Sequence, residues 1–480
     1  MEMIGLFTII VPFIGALVIL FSPKTSAKWI CQIFAALATL GTWFLASRFF
    51  ASGAETQAIP LMQIDHILIF GLVVDKVSTL IAAAVVGLGL IVTVYSLGYM
   101  SRGNKEHPHE GDPRYYIFLL IFIGAMAGLV LSSTILGQLL FFEITGACSW
   151  SLIGYYQTPI AFRSALKALI VTHIASLGLF LAAALLFVNT GTFELTAIAA
   201  LDPTTKMLVM FGIMFAAWGK SAQLPMHMWL PDAMNAPTPV SAYLHAASMV
   251  KVGVYIFARG ILSSGGNIPE VVGIVGIIGA MVTMIYGFLM YLPQKDMKRL
   301  LAYSTITQLA YIFLALSMAA LGSSLAMDGG ITYIFNHAFA KSLFFLVAGS
   351  LSYACGTRML PQIQGLIRRS PLLGVGFCVA AMAIAGVPPF NGFFSKFPLI
   401  EAGFGLSSQY SWLTPVLILA LVESVATFGW LLYWFGKAVI GEPSEVVEEI
   451  SPLPVYMKVT LIVLIAMSVF SSVIASAWLS

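Results

Sequence analysis

Charge is what this sequence has least of. Of its 480 residues only 9% are Asp, Glu, Lys or Arg, against roughly a quarter in water-soluble chains, while 60% are hydrophobic. So few charges cannot cover a soluble surface, which excludes a cytosolic enzyme, a nucleic-acid binder and a disordered protein. A net charge of +3 gives no reason to expect a polyanionic partner. The four cysteines (Cys31, Cys148, Cys355, Cys378) have neither metal nor thioredoxin spacing and read as small apolar fillers. No nucleotide loop, nucleophile constellation, matched haem histidines or quinone signature is visible, so no autonomous active site, metal or cofactor is expected. No basic segment precedes the first apolar run, and that run reads as a retained span instead of a cleaved signal peptide.

What is present is a series of apolar runs, each about 20 residues long, the length that crosses a bilayer core. Fourteen can be marked, at roughly 3–22, 29–50, 77–99, 115–132, 134–156, 165–189, 206–224, 240–260, 271–292, 300–321, 330–355, 372–403, 411–436 and 456–478. They lack the in–out alternation of a membrane barrel, so the expected fold is an all-α polytopic membrane protein. Loops after odd-numbered runs hold thirteen basic residues: Lys24, Lys28, Arg102, Lys105, Arg114, Arg163, Lys295, Lys298, Arg299, Arg358, Arg368, Arg369 and Lys437. Loops after even-numbered runs hold four: Arg48, Lys76, Lys206 and Arg259. The positive-inside rule then puts the odd loops in the cytoplasm and both termini outside. The acidic run Glu442, Glu445, Glu448 and Glu449 reads as a solvated face.

Against this apolar background six charges fall inside the runs: Glu143, Lys220, Lys251, Lys341, Lys396 and Glu423. A Lys or Asp at a helix centre costs about 2.5–3.5 kcal/mol on insertion scales, so retaining several calls for a use. Low dielectric disfavours the charged form, and buried amines and carboxyls can therefore exchange protons near neutrality, as a proton relay requires. Ion pairing or snorkelling explains single cases, but not four lysines against two glutamates. His337 and Lys341 share a helix face at a spacing of four. His245, six residues before Lys251, meets it only across a break or a bound water, and His173 lies in the sixth run.

Proline supplies the remaining signal. Pro225, Pro231, Pro237 and Pro239 crowd the end of run 7, and Gly386, Pro388, Pro389 and Gly392 interrupt run 12. Each should break its helix, and unwound backbone survives at membrane depth only inside protein or beside a watery cavity. The breaks lie five runs apart, each beside a lysine (Lys220, Lys396), and an odd interval points to inverted repeats. The expected organisation is helices 1–3 over residues 1–112, a first repeat (helices 4–8) over 113–262, a second (helices 9–13) over 263–440, and an acidic loop with the last helix over 441–480.

LLFFEITG, FAAWGKSAQLPMHMWLPDAMNAPTPVSAYLHAASMVKVGVY, MKRLLAYSTITQLAY, NHAFAKSLFFLVAGS and GVPPFNGFFSK occur in that order. Together they resemble the antiporter-like membrane subunits shared by respiratory complex I, Mrp cation/proton antiporters and group 4 membrane-bound hydrogenases, over roughly residues 70–437. Within the family the likeness is greatest to the hydrogenase-4 branch, through FAAWGKSAQLP and FNHAFAKSLFFLVAGSLSYACGTR. The resemblance implies a proton channel in which Glu143 and Lys220 form one coupled pair. Lys251 with His245 would bridge towards His337 and Lys341, and Lys396 would be the terminal exchange site. Lys298 matches a further family lysine and reads equally as a positive-inside anchor; Glu423 rests on burial alone. Some relatives carry an acid in helix 6, where this sequence has Ser176, and the end at Ser480 reads as a shorter subunit without a long lateral helix. Implied partners are other membrane-arm subunits and a peripheral cytoplasmic redox module of nickel–iron hydrogenase type, in a prokaryotic inner membrane.

Overall fold

The computed structural model describes residues 1–480 and contains nineteen α-helices. The first seven are α1 (Glu2–Leu20), α2 (Ala27–Ala51), α3 (Lys76–Tyr99), α4 (Pro113–Leu131), α5 (Ile135–Ile153), α6 (Pro159–Thr190) and α7 (Pro203–Lys220). The single turn α8 (Trp229–Asp232) precedes α9 (Thr238–Ala246), α10 (Met249–Ser263), α11 (Glu270–Tyr291), α12 (Met297–Ala320) and α13 (Ser324–Cys355). Then come the short α14 (Leu366–Arg369), α15 (Pro371–Ala385), α16 (Phe393–Leu406), α17 (Leu413–Ala438), the short α18 (Glu445–Glu448) and α19 (Val455–Leu479).

Twelve segments are long and apolar enough to cross a membrane, with α9 and α10 counted as one broken segment. The other two of the fourteen expected runs are α7, which ends on Lys220, and the split pair α15–α16. Helix starts follow local chemistry: Asp75, Asp112, Thr134, Thr158, Asp202, Asp296 and Ser323 each accept backbone N–H groups at the head of a long helix, worth about 1 kcal/mol apiece. Helices α6 and α13 both end at a left-handed glycine, Gly191 and Gly356, where a side chain would be strained.

One element departs from the all-helical expectation. Strands β1 (Gln57–Ile64) and β2 (Ile67–Val74) pair antiparallel between α2 and α3. The turn residues Asp65 and His66 both have positive φ, the twist that a two-residue hairpin needs, and the flanking Ile, Leu and Val suit strands.

Helices α12 and α13 form the buried axis: α12 is covered along nearly its whole length, and α13 packs against α3, α9, α12, α15, α16 and α19. Exposed Ile, Leu, Phe and Val instead line α6, α17 and α19, as a lipid-facing surface requires. Of the two breaks expected from proline, α15 ends at Gly386 (φ +83°), unwinds through Pro388 and Pro389, and resumes as α16. After Lys220 the chain runs as short turns to Pro237, and Trp229 Nε1 bonds back to the Gly219 carbonyl at 2.9 Å. A third break, at Ala247–Ser248 between α9 and α10, contains no proline.

Candidate functional site

The buried ionisable groups lie around the α12–α13 axis. Lys251 on α10 and His337 on α13 are both almost fully buried, and Nζ of the lysine lies 2.8 Å from Nδ1 of the histidine. These groups come from runs 8 and 11, so the contact is wholly tertiary. An amine and an imidazole this close share one proton, because two positive charges at that separation repel strongly.

One helical turn further on, Lys341 donates to Ser304 Oγ on α12 (2.9 Å) and to the Leu301 carbonyl (3.4 Å). His245 does not bond to Lys251. The α9–α10 break stands between them, the ring packs against Phe345, and both its nitrogens are buried without a partner. The second nitrogen of His337 is likewise unpartnered. Buried polar atoms ordinarily have partners, so these positions suit ordered water.

At one end of the series, Lys220 Nζ donates to the Phe142 carbonyl (2.9 Å) and Thr145 Oγ1 (3.2 Å) and sits 4.3 Å from the Phe142 ring centroid. Glu143, the next residue along α5, makes no ion pair with it. Its Oε2 lies 3.1 Å from His173 Nδ1 on α6 instead, while its Oε1 is buried and unpartnered. The expected Glu143–Lys220 pair therefore makes no direct contact: Lys220, on α7, bonds to Phe142 and Thr145, which flank Glu143 on α5. His173 is 60% exposed, on a helix face whose other residues include Ile170, Ile174 and Leu177.

The opposite end is built on α16 and α17. Lys396 Nζ donates to Ser424 Oγ (3.0 Å) and to the Ala385 carbonyl (3.4 Å), and lies 4.6 Å from the Tyr311 ring centroid. The Tyr311 hydroxyl donates to Glu423 Oε2 at 2.6 Å, and Thr427 donates to Oε1. Glu423, supported in the sequence by burial alone, thus shares its tyrosine with Lys396. Between this group and His337 stands Tyr333, whose ring faces both Tyr311 and His337 and whose hydroxyl donates to Gln308 Oε1. The rings of Tyr333 and Tyr311 thus stand between His337 and Lys396, with their hydroxyls bonded to Gln308 and Glu423.

Lys298 lies apart from that series. Its amine donates to the Met234 and Ala236 carbonyls at 2.8 and 2.7 Å, tying α12 to the unwound stretch after Lys220. Pro225 and Pro231 stand in the turns of that same stretch. Asp232 within it pairs with Lys167 at 2.5 Å.

Tyr311, Tyr333, Gln308 and Ser304 are not singled out by the sequence; for Ser304, Gln308 and Tyr311 the available signal is their three- and four-residue spacing on α12, and for Tyr333 its place four residues before His337 on α13. The row that Lys251, Tyr255 and Arg259 form by recurring every fourth residue on α10 is likewise not singled out. Arg259 donates to Tyr255 and forms a two-pronged ion pair with Asp75 (2.5 and 3.1 Å), beside a cavity of about 400 Å³ also lined by Lys76 and Glu194. Asp75 lies outside the membrane spans. Burial pushes its carboxyl up, but the Arg259 charge and bonds from Arg259 and Ser78 outweigh that, leaving it below the usual carboxylate range. On the other face, Arg358 bridges Glu106 (2.6 Å) and Asp296 (2.9 Å), which clamps the α3–α4 loop to the head of α12. His107 in that loop is held below the usual histidine range by burial, with Arg358 and Lys298 adding to the effect against the opposing pull of Glu106.

Residues 132–427 match the family described as NADH:quinone oxidoreductase/Mrp antiporter, transmembrane, and residues 62–118 match the complex I chain 5 N-terminus. The chain is 37% identical over 448 residues to NADH-quinone oxidoreductase subunit L of Escherichia coli (strain K12), covering 89% of this chain and 70% of that one. It is 33% identical over 419 residues to a Na(+)/H(+) antiporter subunit of Alkalihalophilus pseudofirmus, covering 82% of this chain and 51% of the relative, so it spans about half of that antiporter protein. Among solved structures it is similar to a chain of the Mrp complex from Dietzia sp. DQ12-45-1b (TM-score 0.85, 28% identity), covering 98% of this chain and 51% of that one. It also shares its fold with a chain of the membrane-bound sulfane sulfur reductase, an archaeal respiratory membrane complex (TM-score 0.84, 23% identity), covering 99% and 96% respectively.

Proposed function

The chain belongs to the NADH:quinone oxidoreductase/Mrp antiporter family of antiporter-like membrane subunits, and from that premise we propose that it is the proton-translocating subunit of a multisubunit redox complex. The observation that carries the reading is the buried Lys251–His337 contact, with the rings of Tyr333 and Tyr311 standing between His337 and Lys396; Lys220, beside Glu143, is a further buried amine. A redox step elsewhere in the complex alters the charge near Glu143; Lys220 takes up or releases a proton in response. The change passes to the Lys251–His337 pair, with Lys341 one turn further along α13, and from His337 towards Lys396.

Within this reading the complex is an energy-coupling hydrogenase of the hydrogenase-4 type, supported by the sequence blocks around Lys220 and Lys341. The two broken segments belong to inverted repeats over 113–262 and 263–440, flanked by residues 1–112 and 441–480. The membrane is the prokaryotic inner membrane, with both termini outside. Partner membrane proteins are supported by the exposed Glu143–His173 pair, since an ionisable pair at membrane depth calls for cover by protein or water. A second reading, membership of an Mrp-type sodium or potassium/proton antiporter, draws on the similarity to the Alkalihalophilus pseudofirmus protein.

The test is to isolate the chain in mild detergent, identify what copurifies, and measure protons moved per turnover in vesicles for Lys220→Ala and Glu143→Ala. A nickel–iron partner together with lowered pumping in assembled complexes supports the first reading. Cation exchange without redox partners supports the second, and unchanged pumping overturns both in favour of a non-conducting spacer.

A further inference from the structure

Two arginines in a row, Arg368 and Arg369, stand just before the proline that opens α15, and Lys458 lies in the first turn of α19. The Ser451 N–H bonds to the Ala354 carbonyl at 3.0 Å, so the loop before α19 lies at the end of the bundle where α13 finishes. There Arg369, Ser370, Ser451 and Lys458 line one cavity of about 420 Å³, together with apolar residues and no acid. The two arginines have different surroundings. Arg368 pairs with Glu442 at 2.6 Å. Arg369 and Lys458 are both exposed and pair with no carboxylate, although Glu448 and Glu449 stand just before the loop.

Two cations beside two hydroxyl donors attract an anion with several acceptor oxygens and repel a group that carries its own ammonium. Directly below the cavity the chemistry changes. Pro371 is followed four residues on by Val375, and Lys458 by Ile462, so each lies one turn further along the same helix face. Both are exposed, at 44% and 56%. Helices α15 and α19 pack together there, with Ile465 of α19 lying against Gly376 of α15. Their outer faces thus form an apolar groove that starts at the cavity and runs into the bilayer. A dissolved anion would use the cavity alone; a lipid uses both.

We propose that the cavity between the heads of α15 and α19 holds the headgroup phosphate of an anionic diacyl phospholipid of the phosphatidylglycerol class, with an acyl chain in the groove below. Arg369 meets the phosphate oxygens through its planar fork and Lys458 as a point charge, while Ser370 and Ser451 donate from their hydroxyls. An ethanolamine or choline headgroup would set its own cation against Arg369 and Lys458, with no carboxylate on the wall to receive it. The lipid ties α15, the half of run 12 that ends at Gly386, to the last helix of the chain. Its binding is independent of what the chain translocates.

The test uses the full complex in phosphatidylethanolamine vesicles that contain a small fraction of a diacyl probe with a photoreactive diazirine on one acyl chain. The probe carries either a phosphatidylglycerol or a phosphatidylcholine headgroup, and crosslinked peptides are mapped by mass spectrometry. Expected is labelling of α15 and α19 by the glycerol probe about fivefold or more above the choline probe. In the wild type, excess unlabelled phosphatidylglycerol removes the label and inorganic phosphate does not. Arg369→Gln combined with Lys458→Gln lowers the labelling about fivefold or more. Lys24→Gln combined with Lys28→Gln, which neutralises two exposed lysines outside the cavity, leaves it within about twofold. Equal labelling by the two probes overturns the site, as does labelling unchanged in the Arg369 and Lys458 variant. Labelling of neither helix, as when a partner subunit covers the cavity, overturns it too. Displacement by inorganic phosphate overturns the choice of a lipid as the ligand. The wild-type competition requires no substitution, so a variant that fails to assemble does not shield the proposal.

Discussion

Lys251 on α10 and His337 on α13 meet at 2.8 Å, joining the two halves of the chain through one nitrogen–nitrogen contact. Neither a second amine nor a carboxylate bonds to either nitrogen, so the proton between them has two acceptors of different basicity and no fixed counter-charge.

Replacing His337 by Ala removes the acceptor that faces Lys251 and interrupts the series at its middle. Proton translocation should fall about tenfold or more, in line with the loss of a positioned proton carrier. Fluorescence quenching in inverted vesicles measures this, and a rate within twofold of wild type contradicts the series.

Lys298→Met tests whether that lysine serves the series or the fold. Its amine satisfies two carbonyls in the unwound stretch after Lys220. Hydrogen bonds to a charged group are worth about 1.5–3 kcal/mol each, so lower thermal stability in detergent should accompany any loss of transport. Full stability with lost transport assigns Lys298 to the relay.

The Asp75–Arg259 ion pair is largely buried, and Asp75→Asn leaves the guanidinium without its counter-charge. The expected destabilisation is on the order of 3 kcal/mol, seen as a lowered Tm. Because the Asp75 carboxyl is held below its usual range, the pair's contribution is complete above the ordinary carboxylate value. It is lost only as pH falls through the lower folded one. Stability attributable to this pair is therefore constant from about pH 5 to 8, and a Tm difference between wild type and Asp75→Asn that shrinks within that window contradicts it.

Lys206→Ala is the control for buried lysines as a class. Lys206 caps the Ala199 and Ser264 carbonyls and belongs to no proton series. Stability should fall and proton stoichiometry should not, as measured by Tm and by protons per turnover.

Much of this was legible in the residues. Apolar run length located the helical segments, and lysines inside those runs marked the groups that the fold buries around α12 and α13. Less was legible where a partner decides the role. Glu143 and Lys220 looked like partners, yet the rotation of α5 turns the carboxylate to His173 and leaves the amine on the backbone of the preceding residue. The break at Ala247–Ser248 carries no proline, so nothing local announced it, and it separates His245 from Lys251. Tyr311 and Tyr333 were unremarked because a tyrosine inside an apolar helix looks the same whether it packs or conducts.

The sequence alone determined that the chain is a multi-span membrane protein and which rare charges its apolar segments hold, because transfer free energy depends on composition and length and not on neighbours. Tertiary structure alone decided which charge faces which: a 2.8 Å contact between helices from different halves depends on rotation and depth, which periodicity within one helix does not encode. The same holds for the buried amides of Asn336 and Asn391, which bond to each other and to Ser395, Ser471 and Ser472, a set drawn from three helices and an unwound loop.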